Sequence, residues 1–230
     1  MTTTDAPSSV DLSTAVPEQG SVAPDRVPAP VAPTEMSITA APLAANGVPT
    51  SVFGFALVVI MLSLVNSGIL SSGNLLIPLF MVVGFLTIGI GGLYELRNGD
   101  IFGGTFGVVY ATFLLATGVA LKFFSPAADA DAAAVKAFGE EIGALFLIAA
   151  LVSIVFTIAA TLVNTTAIIA FALLAVVFVL AGLGNMIGGD TGATLIKGAG
   201  YAGLLDGIAA FWLATGVLLN TMFGRDVMKL

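Results

Sequence analysis

Between residues 51 and 222 the chain is apolar in six successive stretches of about twenty residues, each long enough to cross a hydrocarbon core of about 30 Å as a helix. The spans run over residues 51–69, 74–94, 103–123, 142–162, 165–186 and 200–220. Lipid offers the backbone no hydrogen bonds, so stretches of this length must satisfy their own peptide groups as helices. The expected fold is an all-α integral membrane protein with six transmembrane helices, embedded in the lipid bilayer. So little sequence separates the spans that no soluble catalytic domain fits between them.

Composition narrows the chemistry. Mean hydropathy is +1.08 and 9% of residues are charged, against about 25% in ordinary globular domains. The 58% apolar content therefore matches a lipid solvent rather than filling an oversized core. With no His and no Cys, disulfides, thiolate nucleophiles, Ser-His-Asp triads, imidazole switches and zinc sites of the usual kind are excluded. No clustered nucleophile, base or ligand set shares one depth, so the chain is read as not an enzyme, with no metal and no cofactor. A net charge of −7 lacks the basic footprint that nucleic acid requires.

Residues 1–48 read as a disordered tail. Seven of the ten prolines precede Gly47, among Ser, Thr, Ala and scattered acids, and little there could offset the entropy of ordering. The stretch has neither the basic nor the apolar region of a signal peptide. Residues 49–222 form the six-helix membrane domain, and 223–230 a short C-terminal tail. Two connections are barely turns, which makes helices 1 and 2, and helices 4 and 5, antiparallel neighbours; residues 125–141 form a longer acidic loop. With the N-terminus inside, Arg97, Arg225 and Lys229 face one side and Lys122, Lys136 and Lys197 the other, so charge bias alone gives no orientation. Gly103 and Gly107, like Gly203 and Gly207, have the spacing that lets helix backbones approach closely.

The charged residues near the second span divide simply. Asp100, just ahead of a helix start, is suited to capping it, while Glu95 and Arg97 are close enough to pair at surface strength. Asp206 is different, because it lies inside the sixth span among small residues. An intramembrane carboxylate is costly and is a functional candidate by default; here it is the candidate for proton coupling.

Residues 91–110 read Gly-Gly-Leu-Tyr-Glu95-Leu-Arg-Asn-Gly99-Asp-Ile-Phe102-Gly103-Gly-Thr-Phe-Gly-Val-Val-Tyr110. This block, together with Gly184-Asn185, Gly200-Tyr201-x-Gly203 and the tail Phe223-Gly224-Arg225, resembles the acetate uptake transporter family, also called succinate-acetate permeases. The resemblance covers residues 46–226. The family's opening Asn-Pro-Ala-Pro-Leu-Gly-Leu segment is kept here only at Asn46 and Pro49, so gating or substrate range is where a difference is expected.

The resemblance implies six helices per protomer, a homo-oligomer that is a hexamer, and one substrate path through each protomer. It also implies a place in the cytoplasmic (inner) membrane with both termini cytoplasmic. The implied substrates are acetate and related short carboxylates, succinate among them, by channel-like passage or proton symport. A hydrophobic constriction on that path corresponds here to Phe55, Tyr110 and Leu174. In such a gate the Tyr110 hydroxyl would offer a neutral donor to a carboxylate.

Helix geometry extends this set. Asn66 follows Phe55 by eleven residues and Asn185 follows Leu174 by eleven, and that spacing returns to within about 20° of the same face. Both amides are therefore expected to line the path at one depth, with Ser63 and Thr117 as weaker lining candidates. Two other readings stand beside acetate passage. A hexameric urea or amide channel would share the six-helix plan, and a sensory or structural membrane protein would use the N-terminal tail.

Overall fold

A computed structural model of the chain describes residues 45–230; the expected tail falls outside these residues except for its last four. Six helices follow one another: α1 Val48–Asn66, α2 Leu76–Asn98, α3 Ile101–Phe124, α4 Ala132–Ala160, α5 Thr165–Ile187 and α6 Gly189–Phe223. Each is long and apolar enough to span a membrane. The protein is a multi-pass, all-helical membrane protein.

Two helices begin well before their apolar windows. α4 starts at Ala132, so the expected loop over 125–141 shrinks to residues 125–131. The Asp131 carboxylate caps it, accepting the Ala134 N–H at 2.7 Å, and Lys136 pairs with Glu140 at 3.5 Å one turn later. α6 starts at Gly189 rather than near residue 200, directly after a corner in which Gly188 and Gly189 have φ of +65° and +60°. Only glycine takes that backbone readily. Hydropathy locates the part of a helix that lipid covers, and these two helices continue beyond it. At 35 residues, α6 is about 52 Å long.

α2 opens with Pro78 in its first turn and bonds in the wider π pattern over Leu79–Ile88 before returning to α-helix. It ends at Gly99, φ +83°, and Asp100 caps α3 by accepting the N–H groups of Phe102 and Gly103, both at 3.0 Å.

The helices stand in chain order around a closed ring, each packed on the next, and α6 closes it by packing on both α5 and α1. Glycines make the tightest seams. A Cβ added at Gly92 of α2 would lie 2.7 Å from the Cα of Gly107 on α3. On the other side of the ring α6 lays Gly200 against Ser67, just past the end of α1, and Gly203 and Gly207 against Ser63 and Ile60 of α1. Between α3 and α4 the backbones stay farther apart, and aromatic side chains fill the gap: Phe102 and Phe106 of α3 both meet Phe156 of α4 edge-on.

After Gly224 the last residues fold back along α6. The Asn220 side chain accepts the N–H groups of Val227 and Met228, at 2.7 and 2.9 Å, and donates to the Met228 carbonyl at 2.8 Å. The Trp212 indole N–H donates to the Lys229 carbonyl at 3.1 Å.

Candidate functional site

Phe55, Tyr110 and Leu174, from three different helices, line one cavity inside the ring. Its walls come from α1 to α5, with Phe80 of α2 and Phe146 of α4 completing them; α6 contributes none of the lining. All three named side chains are buried. Phe55 and Tyr110 meet edge-on with centroids 6.1 Å apart, a favourable arrangement for aromatic pairs.

The cavity measures about 30 Å³. A water needs about 10–15 Å³ measured in this way, so there is room for one or two waters and none for a carboxylate with its carbon skeleton. A molecule of that size could enter only if the aromatic wall moved. None of the lining residues carries a charge, and Ser63, Asn66, Tyr110 and Thr117 are the polar ones. Thr117 donates its hydroxyl hydrogen to the Phe113 carbonyl at 2.9 Å, leaving only lone pairs for anything else.

The Tyr110 hydroxyl is also engaged. It lies 2.7 Å from the hydroxyl of Ser153 on α4, and Ser153 donates its own hydrogen to the Ala149 carbonyl at 2.9 Å. A hydroxyl has one hydrogen to give, so Tyr110 is the donor in this pair. The free donor expected from the sequence is therefore turned into the protein, anchoring the ring across the sparse α3–α4 gap.

Asn185 differs more from expectation. It lies one turn beyond Ala181, the last α5 residue on the cavity wall, and its amide donates to the Ala181 carbonyl at 2.7 Å. Instead of facing Asn66, it lines a broad depression with Gly139, Gly188 and Ile196, formed where α4 and α6 extend past the apolar core. The shared-face geometry holds for one helix at a time, but the cavity ends before Asn185 is reached.

Asp206 stands behind the cavity wall. It is fully buried, and neither carboxylate oxygen has a hydrogen-bond partner among the described residues.

The remaining motif residues gather at the α2–α3 corner. Glu95 is buried and accepts the N–H of Gly47, just ahead of α1, rather than pairing with Arg97 at the surface. Asn98 donates to the Ala45 carbonyl at 3.2 Å, and the Asn46 side chain accepts the Val48 N–H at 2.9 Å. Pro49 is buried in the first turn of α1, where a missing N–H costs nothing. Gly103 packs beside Glu95 and Asp100. The tail residues Phe223 and Arg225 are exposed, and Gly224 terminates α6 in the left-handed conformation.

Several aromatic residues in and around the cavity were not singled out in the sequence. Phe178 lines it and stacks nearly parallel to the Tyr110 ring at 6.4 Å, and Phe106, outside the lining, packs 5.3 Å from that ring. Phe102, Phe106, Tyr110 and Phe113 recur at helical spacing on one face of α3, and Phe171, Leu174 and Phe178 on one face of α5. That periodicity was the available signal.

The sequence pattern of the GPR1/FUN34/yaaH family matches residues 31–228. The succinate-acetate/proton symporter SatP of Escherichia coli K12 is 30% identical over 187 residues, covering 81% of this chain and 95% of that protein. An uncharacterized protein of Methanothermobacter thermautotrophicus is 28% identical over 194 residues, covering 80% and 90%. Among solved structures, that of the bacterial acetate channel SatP superposes with a TM-score of 0.72 at 27% identity, covering 81% of this chain and 98% of the other.

Proposed function

Because the chain belongs to the GPR1/FUN34/yaaH family, we propose that it carries acetate and related short carboxylates, succinate among them, across the cytoplasmic membrane. The observation that carries this reading beyond kinship is the narrow, uncharged cavity lined by Phe55, Tyr110 and Leu174 inside the helix ring. A hydrophobic constriction penalises hydrated ions and leaves passage to small solutes that can shed water in stages. Asn66 and Ser63 supply neutral polar groups to a carboxylate beside the constriction, without a fixed cation that would hold it too tightly to leave.

The path runs along α1 from the Phe55 level to Asn66, a rise of about 16 Å. Opening it requires the Phe55, Tyr110 and Leu174 side chains to swing apart. Tyr110 can do so only by giving up Ser153, so that hydrogen bond acts as a catch on the closed state.

We further propose a hexamer with both termini cytoplasmic. Apolar side chains left exposed along α4 and α6, including Leu151, Ile158, Ile208 and Trp212, provide surface for both lipid and neighbouring protomers. Native mass spectrometry that found monomers or dimers alone would refute the assembly.

A urea or amide channel is the second reading, favoured by the same uncharged lining. Uptake of labelled acetate and labelled urea into proteoliposomes separates them. Acetate uptake above that of protein-free vesicles is expected; urea uptake without acetate uptake would overturn the first reading. Deletion of residues 1–44 is expected to leave acetate uptake intact, which would count against a sensory role for the tail.

A further inference from the structure

We propose that Asp206 is the proton-binding site of this transporter, exchanging its proton with the substrate path at the Ser63 edge of the cavity. The proposal rests on the transport reading above, and extends it to what accompanies the carboxylate.

Asp206 is the central residue of α6, seventeen residues from either end. At about 1.5 Å per residue, it lies about 25 Å from both helix ends. It is fully buried, with no partner for either oxygen among the described residues. A carboxylate left ionised in that setting would have neither water nor donor to stabilise it.

No counter-charge is available from the helices packed against it. α1 and α5 contain no Asp, Glu, Lys, Arg, His or Tyr. On α6 itself, Lys197 lies nine residues away, about half a turn round to the opposite face. Tyr201 is exposed, and Asp190 is at the far end of the helix. Arg225, Asp226 and Lys229 are exposed on the return segment. Tyr110, on α3, lies on the cavity side, and its hydroxyl is bound to Ser153. The group that leaves Asp206 uncharged in this packing is therefore a proton.

The neighbouring contacts offer a way out for it. One turn before Asp206, Gly203 packs against the Ser63 hydroxyl, and Ser63 also lines the cavity. Just beyond it, Gly207 packs against Ile60. A seam with glycine on one side contains no interlocked large side chains on that side, so a small separation of α6 from α1 would connect Asp206 to the path. In one turnover the carboxylate takes a proton from water on one side of the bilayer, and the resulting acid returns it to water on the other side. Acetate moves as the anion alongside, and no net charge is transferred.

Two measurements on the full chain test this. In proteoliposomes, an inward proton gradient is expected to raise wild-type acetate accumulation. Asp206→Asn is expected to lose that stimulation, and Asp206→Glu to recover it at least in part. Gel filtration and thermal unfolding in detergent establish that each variant is folded. Independently of any flux, the infrared difference spectrum between acid and alkaline pH is expected to show a protonated-carboxyl band that Asp206→Asn lacks. If no acetate moves through the wild type but the band is present and lost in the variant, the transport reading fails and the proton site stands. A folded Asp206→Asn protein with unaltered gradient stimulation would overturn the proposal, as would an identical infrared difference spectrum. So would wild-type uptake that depends on sodium through Asp206.

Discussion

The hydroxyl of Tyr110 donates to the hydroxyl of Ser153 at 2.7 Å, and so ties α3 to α4 where their backbones stay apart. Replacing Ser153 by Ala leaves a buried phenol without its acceptor, at a cost of about 1–3 kcal/mol. Replacing Tyr110 by Phe removes the donor and keeps the ring, and Ser153 retains the Ala149 carbonyl. Thermal unfolding in detergent is expected to rank Ser153→Ala below Tyr110→Phe.

The proposed constriction makes a prediction of the opposite kind. Phe55→Ala, Tyr110→Ala and Leu174→Ala each enlarge a cavity of about 30 Å³, and each is expected to admit longer monocarboxylates relative to acetate. The relative uptake of labelled butyrate and acetate checks this. Three variants with wild-type selectivity would mean that the path runs elsewhere.

Glu95 is expected to be a structural lock for the start of α1. Glu95→Ala leaves the buried Gly47 N–H unpaired, costing about 1–3 kcal/mol, whereas Glu95→Gln keeps an acceptor oxygen and should cost less. Hydrogen exchange at the Gly47 amide, faster in the Ala variant than in the Gln variant, would report the same ordering locally.

Gly92 and Gly107 meet back to back, and a methyl group on Gly92 would lie 2.7 Å from the neighbouring Cα. No flexible side chain can give way there, so Gly92→Ala must push α2 from α3. The expected penalty is about 1–3 kcal/mol, as for other overpacked sites, read as a lower unfolding temperature. Gly99→Ala is strained for a different reason, its φ of +83°, with open space around it.

The number and order of the helices were legible because lipid imposes a length and a polarity that few other environments do. Their ends were not. The Asp131 cap and the alanine run that follows it extend α4 by ten residues beyond the apolar window, and no hydropathy average weighs a cap. Family resemblance points to Phe55, Tyr110 and Leu174, which line one cavity, whereas rotation about its own helix alone points to Asn185, which lies beyond that cavity. Rotation says which way a side chain faces and nothing about where a cavity ends. Glu95 looked like a surface charge because its partner, Gly47, is 48 residues away and offers a backbone group that no side-chain pattern marks.

The ring of helices follows chain order, and the last helix joins the first. Every neighbouring pair except that one joins helices consecutive in the chain. Until α6 arrives, α1 and α5 lack the element that clasps them, and the five helices that line the cavity surround no closed passage. A chain threaded into the bilayer helix by helix would therefore close its ring only at the step that also buries Asp206.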